Sequence, residues 1–162
     1  MKTLRAIPLT AANFAPFGDV VSAASAQIKK QINAGHTARF HDLAHVASQD
    51  GGRVSVNIFR SDSCDMPVII HQMERHPKSS QLFMPLGPHP HLVIVSHSGK
   101  FNMDDLRAFI AQPDQGVNYH AGTWHHYSLA LQGQSDFLVV DYVGLGKNCD
   151  TIDLPQPLQV TV

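Results

Sequence analysis

The chain has 162 residues with 12 basic and 13 acidic side chains, which suits one domain, taken as residues 1–162, burying roughly two thirds of its unfolded surface. Its formal charge of -1 and the lack of any basic run argue against nucleic acid or anionic membrane as a partner and leave a small molecule as the expected one. Apolar runs such as Leu92-Val-Ile-Val95 are too short to span a bilayer, and Met1-Lys-Thr-Leu-Arg5 lacks a hydrophobic secretion segment, so a cytosolic location is expected.

Along the chain, Ala6-Ile-Pro-Leu9 reads as a short strand, and Thr10 is positioned to cap a helix over Thr10–Phe17. Ser22-Ala-Ala-Ser-Ala26 reads as a loop. Further strands are expected at Val54–Phe59, Pro67–Ile70, Leu82–Met84, Leu92–Ser96, Tyr127–Leu131 and Phe137–Val140. Between them, Met103–Ile110 is expected to be helical, since Asn102 precedes it, acids fill its first turn and its apolar residues fall at helical spacing. From Leu154 the chain reads as a β-like tail lying on a partner subunit, because Leu154, Leu158, Val160 and Val162 are apolar without an obvious local core. Many short strands separated by Gly or Pro predict a mostly β barrel or sandwich with a few short peripheral helices.

Two segments carry the chemistry. Side chains alternate along an extended chain, so Glu74 and His76 share one face while Met73 and Arg75 take the other, which requires a bulge or a second packed layer. The segment Gly116–Tyr127 reads as strand-turn-strand and holds His120, His125 and His126; imidazole titrates near neutrality and is the commonest metal ligand. His36, His45, His89, His91 and His97 read as polar surface. Cys64 and Cys149 form no CxxC pair and read as reduced thiols, Cys149 as a packed residue more than a nucleophile.

His120-x-Gly122-x-x-His125 resembles the Pro-x-Gly-x-x-His turn of cupin barrels. Glu74-x-His76, Gln81 and Gly87 stand where cupins carry His-x-His, Glu and Gly. The resemblance implies a cupin-like double-stranded β-helix, or jelly-roll barrel, with His125 turned inward and His126 supporting the wall or a subunit contact. The runs Arg39–Ala44, Glu74-Arg-His-Pro77 with Gln81, Gln115–His120, Trp124-His-His126, Asp136–Asp141 and Asn148-Cys-Asp150 together resemble the ureidoglycolate lyase family over nearly the whole chain.

Membership would imply cleavage of ureidoglycolate to glyoxylate and urea, a step of allantoin degradation, by a homodimer. It would also imply a divalent metal, nickel by attribution, with His76, Glu74, Gln81 and His125 as ligands. That elimination needs a base for the hydroxyl proton and an acid for the departing nitrogen, for which Glu74, His76, His120 and His125 are the candidates. The substrate carboxylate needs a cation or several donors, and Arg39, Arg60 and Arg75, with Asn118 and Tyr119, are expected to bind the substrate. Departures from the family pattern fall at Lys78-Ser79, Ala121, Tyr127 and Tyr142 and bear on the substrate more than on the fold. A two-histidine, one-carboxylate set also permits an iron-dependent cupin oxygenase or isomerase, and a silent cupin that binds a small acid is a further alternative.

Overall fold

The computed structural model describes residues 1–162. Strands β1 (Lys2–Arg5) and β2 (Ile7–Pro8) lead into a one-turn helix, α1 (Ala11–Phe14). Thr10 caps it as expected: its hydroxyl accepts from the Asn13 amide, and the Asn13 side chain accepts from the Thr10 amide. Phe14 is the buried anchor of this turn, and Pro16 has no N–H with which to extend it. The chain continues through β3 (Gly18–Val21), the hairpin β4 (Ile28–Ile32) and β5 (Thr37–His41), then β6 (Arg53–Ser61), β7 (Val68–Arg75), β8 (Gln81–Pro85) and β9 (His91–Ser96). It closes with β10 (Arg107–Ala111), β11 (Gly116–Tyr119), β12 (Trp124–His125), β13 (Leu129–Ala130), β14 (Ser135–Val143) and β15 (Asp150–Thr161).

Two sheets form a nearly closed, cupin-like barrel. One runs β1-β15-β7-β12-β9-β10-β2, with β13 also on β9; the other runs β3-β11-β8-β14-β6; the β4–β5 hairpin stands apart from both. Between the sheets lies a core of Phe14, Phe17, Phe83, Val93, Val95, Phe109, Val117, Tyr119, Phe137 and Val139. A second core packs the opposite face of the larger sheet, from Met73, Leu92, Ile94, Trp124, Leu158 and Val160. Both faces of β9 are therefore buried, which is why its sequence is continuously apolar and lacks alternation. The second core is also the packed layer that Met73 requires.

Three expectations are corrected. Met103–Ile110 is not a helix: Asn102 caps a 3₁₀ turn at Met103–Asp105, and Arg107–Ala111 pairs antiparallel with β9. Ala108, Phe109 and Ala111 are buried on alternate faces, and sheet pairing that covers both faces outweighs helical spacing. The apolar tail does not wait for a partner either, since β15 pairs with β7 and β1 and its Leu158 and Val160 are fully buried in the chain's own second core. Finally, His91 is no surface residue. Its ring packs edge-on against Phe137 at 5.2 Å, and neither nitrogen has a hydrogen-bond partner.

Burial holds His91 neutral, with its pKa pushed down from 6.5 to about 4. The unfolded chain takes up this proton below pH 6.5 and the folded chain does not, so the stability is intact above 6.5 and is lost between 6.5 and about 4. Urea denaturation should show that His91→Leu escapes about 2 kcal/mol of the stability that the parent chain loses between pH 7.5 and pH 5.

Candidate active site

The site begins with a strand pairing. β12 lies between β7 and β9, with His125 directly opposite Glu74 on one side and opposite Val95 on the other. Facing residues project to the same side of a sheet, so Glu74 and His125 both enter the barrel, while Trp124 and Arg75 turn to the second core. There the Arg75 guanidinium stacks on the Trp124 ring at 4.6 Å, bonds to Asp150 at 3.0 Å and donates to the Gly99 carbonyl at 2.9 Å.

The turn before β12 fixes that register. Gly122 adopts φ +81°, a left-handed conformation that a side chain disfavours, and its N–H donates to the His76 carbonyl at 2.9 Å. Thr123 locks the same turn through its hydroxyl, which donates to the Phe17 carbonyl at 2.9 Å. One residue thus ties the second histidine-bearing segment to the first.

Glu74 Oε1 lies 3.9 Å from His76 Nε2 and 3.9 Å from His125 Nδ1, and the two imidazole rings are 5.1 Å apart. A ligand atom from each of the three residues falls within 4.8 Å of the others, so they form a group able to hold a metal ion. The imidazoles are prepared for that task. His76 Nδ1 donates to the Asn148 carbonyl at 2.7 Å and His125 Nδ1 to the His126 carbonyl at 3.1 Å; both Nε2 atoms are buried without a partner. A carbonyl can only accept, so the hydrogen sits on Nδ1 and the Nε2 lone pair is free. Burial, reinforced by neighbouring His76, pushes His125 down to about 3 and keeps it a neutral donor atom at physiological pH. Tyr119 stacks parallel on His125 at 4.2 Å, and burial followed by the Glu74 charge raises its phenol above the ordinary value.

A cavity of about 560 Å³ reaches this group at His76 and is lined also by Ser79, Gln81, Asp141, Tyr142 and Lys147 among others. Gln81 is buried, and its Oε1 has no hydrogen-bond partner, so it offers a fourth, neutral oxygen. Nitrogen-rich, partly oxygen donor sets of this kind suit nickel, zinc or iron. Asn148 does not stand out in the sequence as a site residue, although it lies in the Asn148-Cys-Asp150 run. Besides holding His76, its side chain donates to Ser79 Oγ at 2.9 Å and accepts from the Lys78 amide at 2.7 Å, so it joins both walls of the cavity. The Cys149 thiol is 3.9 Å from Glu74 Oε2, and burial together with that carboxylate raises its pKa, which leaves it a protonated neighbour and not a nucleophile.

Other expected site residues lie elsewhere. His120 is exposed and bonds to Asp19 at 3.2 Å, in a surface hollow with His45, Ala47 and Ser80, because Asp19 and Asn118 face away from the barrel core. Asn118 is fully buried and spends its amide on Asp19 and the His45 carbonyl, a bracing role. Arg60 is an exposed partner of Asp136 at 2.7 Å, Arg75 serves Asp150 and Trp124, and Arg39 projects from the exposed β4–β5 hairpin. Tyr119 reaches the site as a stacking partner of His125. His126 is buried, held neutral by burial at about 4, and packs its ring against Tyr127.

The sequence profile of the family described as ureidoglycolate lyase matches residues 1–161. The chain is 46% identical over 162 residues to a protein of Burkholderia mallei (strain NCTC 10229) named ureidoglycolate lyase, covering 99% of this chain and 95% of that one. It is 47% identical over 152 residues to the protein of that name from Pseudomonas syringae pv. tomato, covering 93% of this chain and 89% of the relative. With the Brucella ovis protein of the same name it shares 48% over 151 residues, at 93% and 89% coverage.

Calorimetric titration with nickel or zinc should give one tight site per chain. His76→Ala and His125→Ala should each weaken it by at least about 100-fold, since losing even a residue that orients a ligand costs about 10–100-fold. Binding that survives both substitutions would place the metal elsewhere.

Proposed function

We propose, because the chain belongs to the ureidoglycolate lyase family, that it cleaves ureidoglycolate to glyoxylate and urea in the cavity lined by His76 and Gln81, with Glu74 and His125 grouped beside His76. The carrying observation is the convergence of one carboxylate and two imidazoles whose Nε2 atoms are buried without partners, with His76 of this group on the cavity wall. Nickel is the metal we assign, held by His76, Glu74 and His125 with Gln81 as the fourth residue; when bound it supplies Lewis-acid polarisation of the substrate's oxygens.

The chain's own residues account for the proton traffic. Ureidoglycolate carries a hydroxyl, a carboxylate and a ureido nitrogen on one carbon, so the reaction removes the hydroxyl proton, forms the carbonyl, breaks the carbon–nitrogen bond and protonates the leaving nitrogen. Glu74 is the acceptor for the hydroxyl proton and returns it to the urea nitrogen, so that no water is consumed. His125, neutral and stacked on Tyr119, would hold the metal through Nε2 and does not act as the acid. His76, fixed through Asn148, holds the opposite side of the group. Lys147, on the cavity rim and 3.9 Å from Asp150, is a cation that the chain itself supplies beside the cavity for the carboxylate.

The enzyme so described is a single domain, a homodimer and a cytosolic protein of purine breakdown acting on a small acid. No helix is long and apolar enough to cross a membrane.

The test is glyoxylate release from racemic ureidoglycolate. Glu74→Gln should lower kcat/KM by about 10²–10⁴-fold, the usual worth of a positioned proton-transfer group, and His76→Ala and His125→Ala, which would hold the metal, by at least about 10–100-fold, while His126→Ala keeps most of the activity. A His125→Ala enzyme at parent kcat/KM would refute the role of His125, and activity untouched by a strong chelator would refute that of the metal.

A further inference from the structure

The β4–β5 hairpin has no support within its own subunit. Its strands pair only with each other, nearly all of its residues are exposed, and an isolated two-stranded ribbon is marginal in water. Ile28 and Phe40 stand exposed on it. Lys30 lies directly opposite Arg39, a like-charge pair that destabilises the ribbon, and neither side chain has an acidic partner within ion-pair distance, unlike the paired cations Lys2, Arg60 and Arg75.

A surface of complementary character lies on the five-stranded sheet. On its outer face Val54, Val56 and Ile58 of β6 stand opposite Tyr142, Val140 and Leu138 of β14, with Val56 69% and Ile58 56% exposed. β6 is also the edge of that sheet, and a long apolar edge is a feature that folded proteins ordinarily cover. The row ends at the cavity, since Tyr142 and Val143 are both the end of β14 and part of the cavity wall. Asp141, beside them, is bonded by Asn57 at 2.9 Å and pairs with no cation. Thus the arm is apolar and cationic without a counter-charge, and the face is apolar and ends at a cavity into which the unpaired Asp141 turns.

We propose that two copies of the chain exchange their β4–β5 hairpins, each arm lying across the outer face of the partner's β6 and β14 and bringing Lys30 and Arg39 to the rim of the partner's cavity. A two-fold pair makes the same contact twice and leaves neither arm nor face uncovered. There Arg39 meets the substrate's carboxylate in the bidentate manner suited to a guanidinium, a role that rests on the ureidoglycolate reading. Within one chain Arg60 and Arg75 are committed to Asp136 and Asp150, and Arg53 stands opposite Val143 of the cavity wall, so the partner's Arg39 is the guanidinium that the exchange adds at this rim.

Sedimentation should give a dimer for the parent chain and a folded monomer, by circular dichroism, for Val56→Glu/Ile58→Glu. Arg39→Ala should remain dimeric and lose about 10–100-fold in kcat/KM. Dissociated and reassociated with His125→Ala, it should recover about a quarter of parent activity, because half of the subunits pair across variants and each such pair builds one intact site from two chains. A monomeric parent, a dimeric Val56→Glu/Ile58→Glu, an unimpaired Arg39→Ala or a mixture without recovery would overturn the proposal. A parent chain that dimerises through this face yet leaves ureidoglycolate intact would sink the lyase reading while supporting the exchange.

Discussion

The cross-strand pair of Glu74 and His125 is the constraint on which the site depends. In a ladder, residues opposite each other point to the same side, so one register decides that the acid and the imidazole enter the barrel while Arg75 and Trp124 leave it. A slip of one residue would bring His126 or Trp124 to the Glu74 side and send the His125 imidazole to the second core. The register is held from both ends. β12 is only two residues long and cannot specify itself, so the Gly122 N–H bond to the His76 carbonyl and the His126 amide bond to the Ile94 carbonyl do so.

The barrel interior holds this arrangement at a cost. Burying imidazole nitrogens without partners is unfavourable by about 1–3 kcal/mol each, and His76, Gln81 and His125 all carry such atoms. A fold selected for stability alone would fill these places with apolar side chains. Aromatic neighbours offset part of the burden, since the Tyr119 ring lies at an interplanar angle of 3° to His125 and contacts Phe83 and Phe14 in turn. The same packing keeps His125 neutral, so the property that weakens the fold equips the site.

Much of this was legible in the sequence because period two is a strong signal. The alternation at Glu74 and His76 placed them together, and Gly122 marked the turn that delivers His125. What failed did so where tertiary pairing overrode local pattern. Met103–Ile110 looked helical because its apolar spacing fits period 3.6, yet from Arg107 the chain pairs with β9 and is buried on both faces. The tail after Leu154 looked unsupported because β7 and β1, which cover it, lie far away in sequence. His120 was drawn into the site by its place in the motif, but the outward path of the chain at Asn118 and Asp19 took it to the surface. Asn148 acts through its backbone carbonyl on His76, and backbone carbonyls leave no compositional trace.

Trp124 is the chain's single tryptophan, and it sits back to back with His125 on one two-residue strand, its indole N–H bonded to Gly99 at 3.0 Å and its face under Arg75. Because indole emission follows its local field, the protein carries a fluorophore wired through one peptide bond to the His125 imidazole. Every shift of that strand, whether from a ligand, a proton or loss of the barrel, reaches a probe that no labelling chemistry had to install.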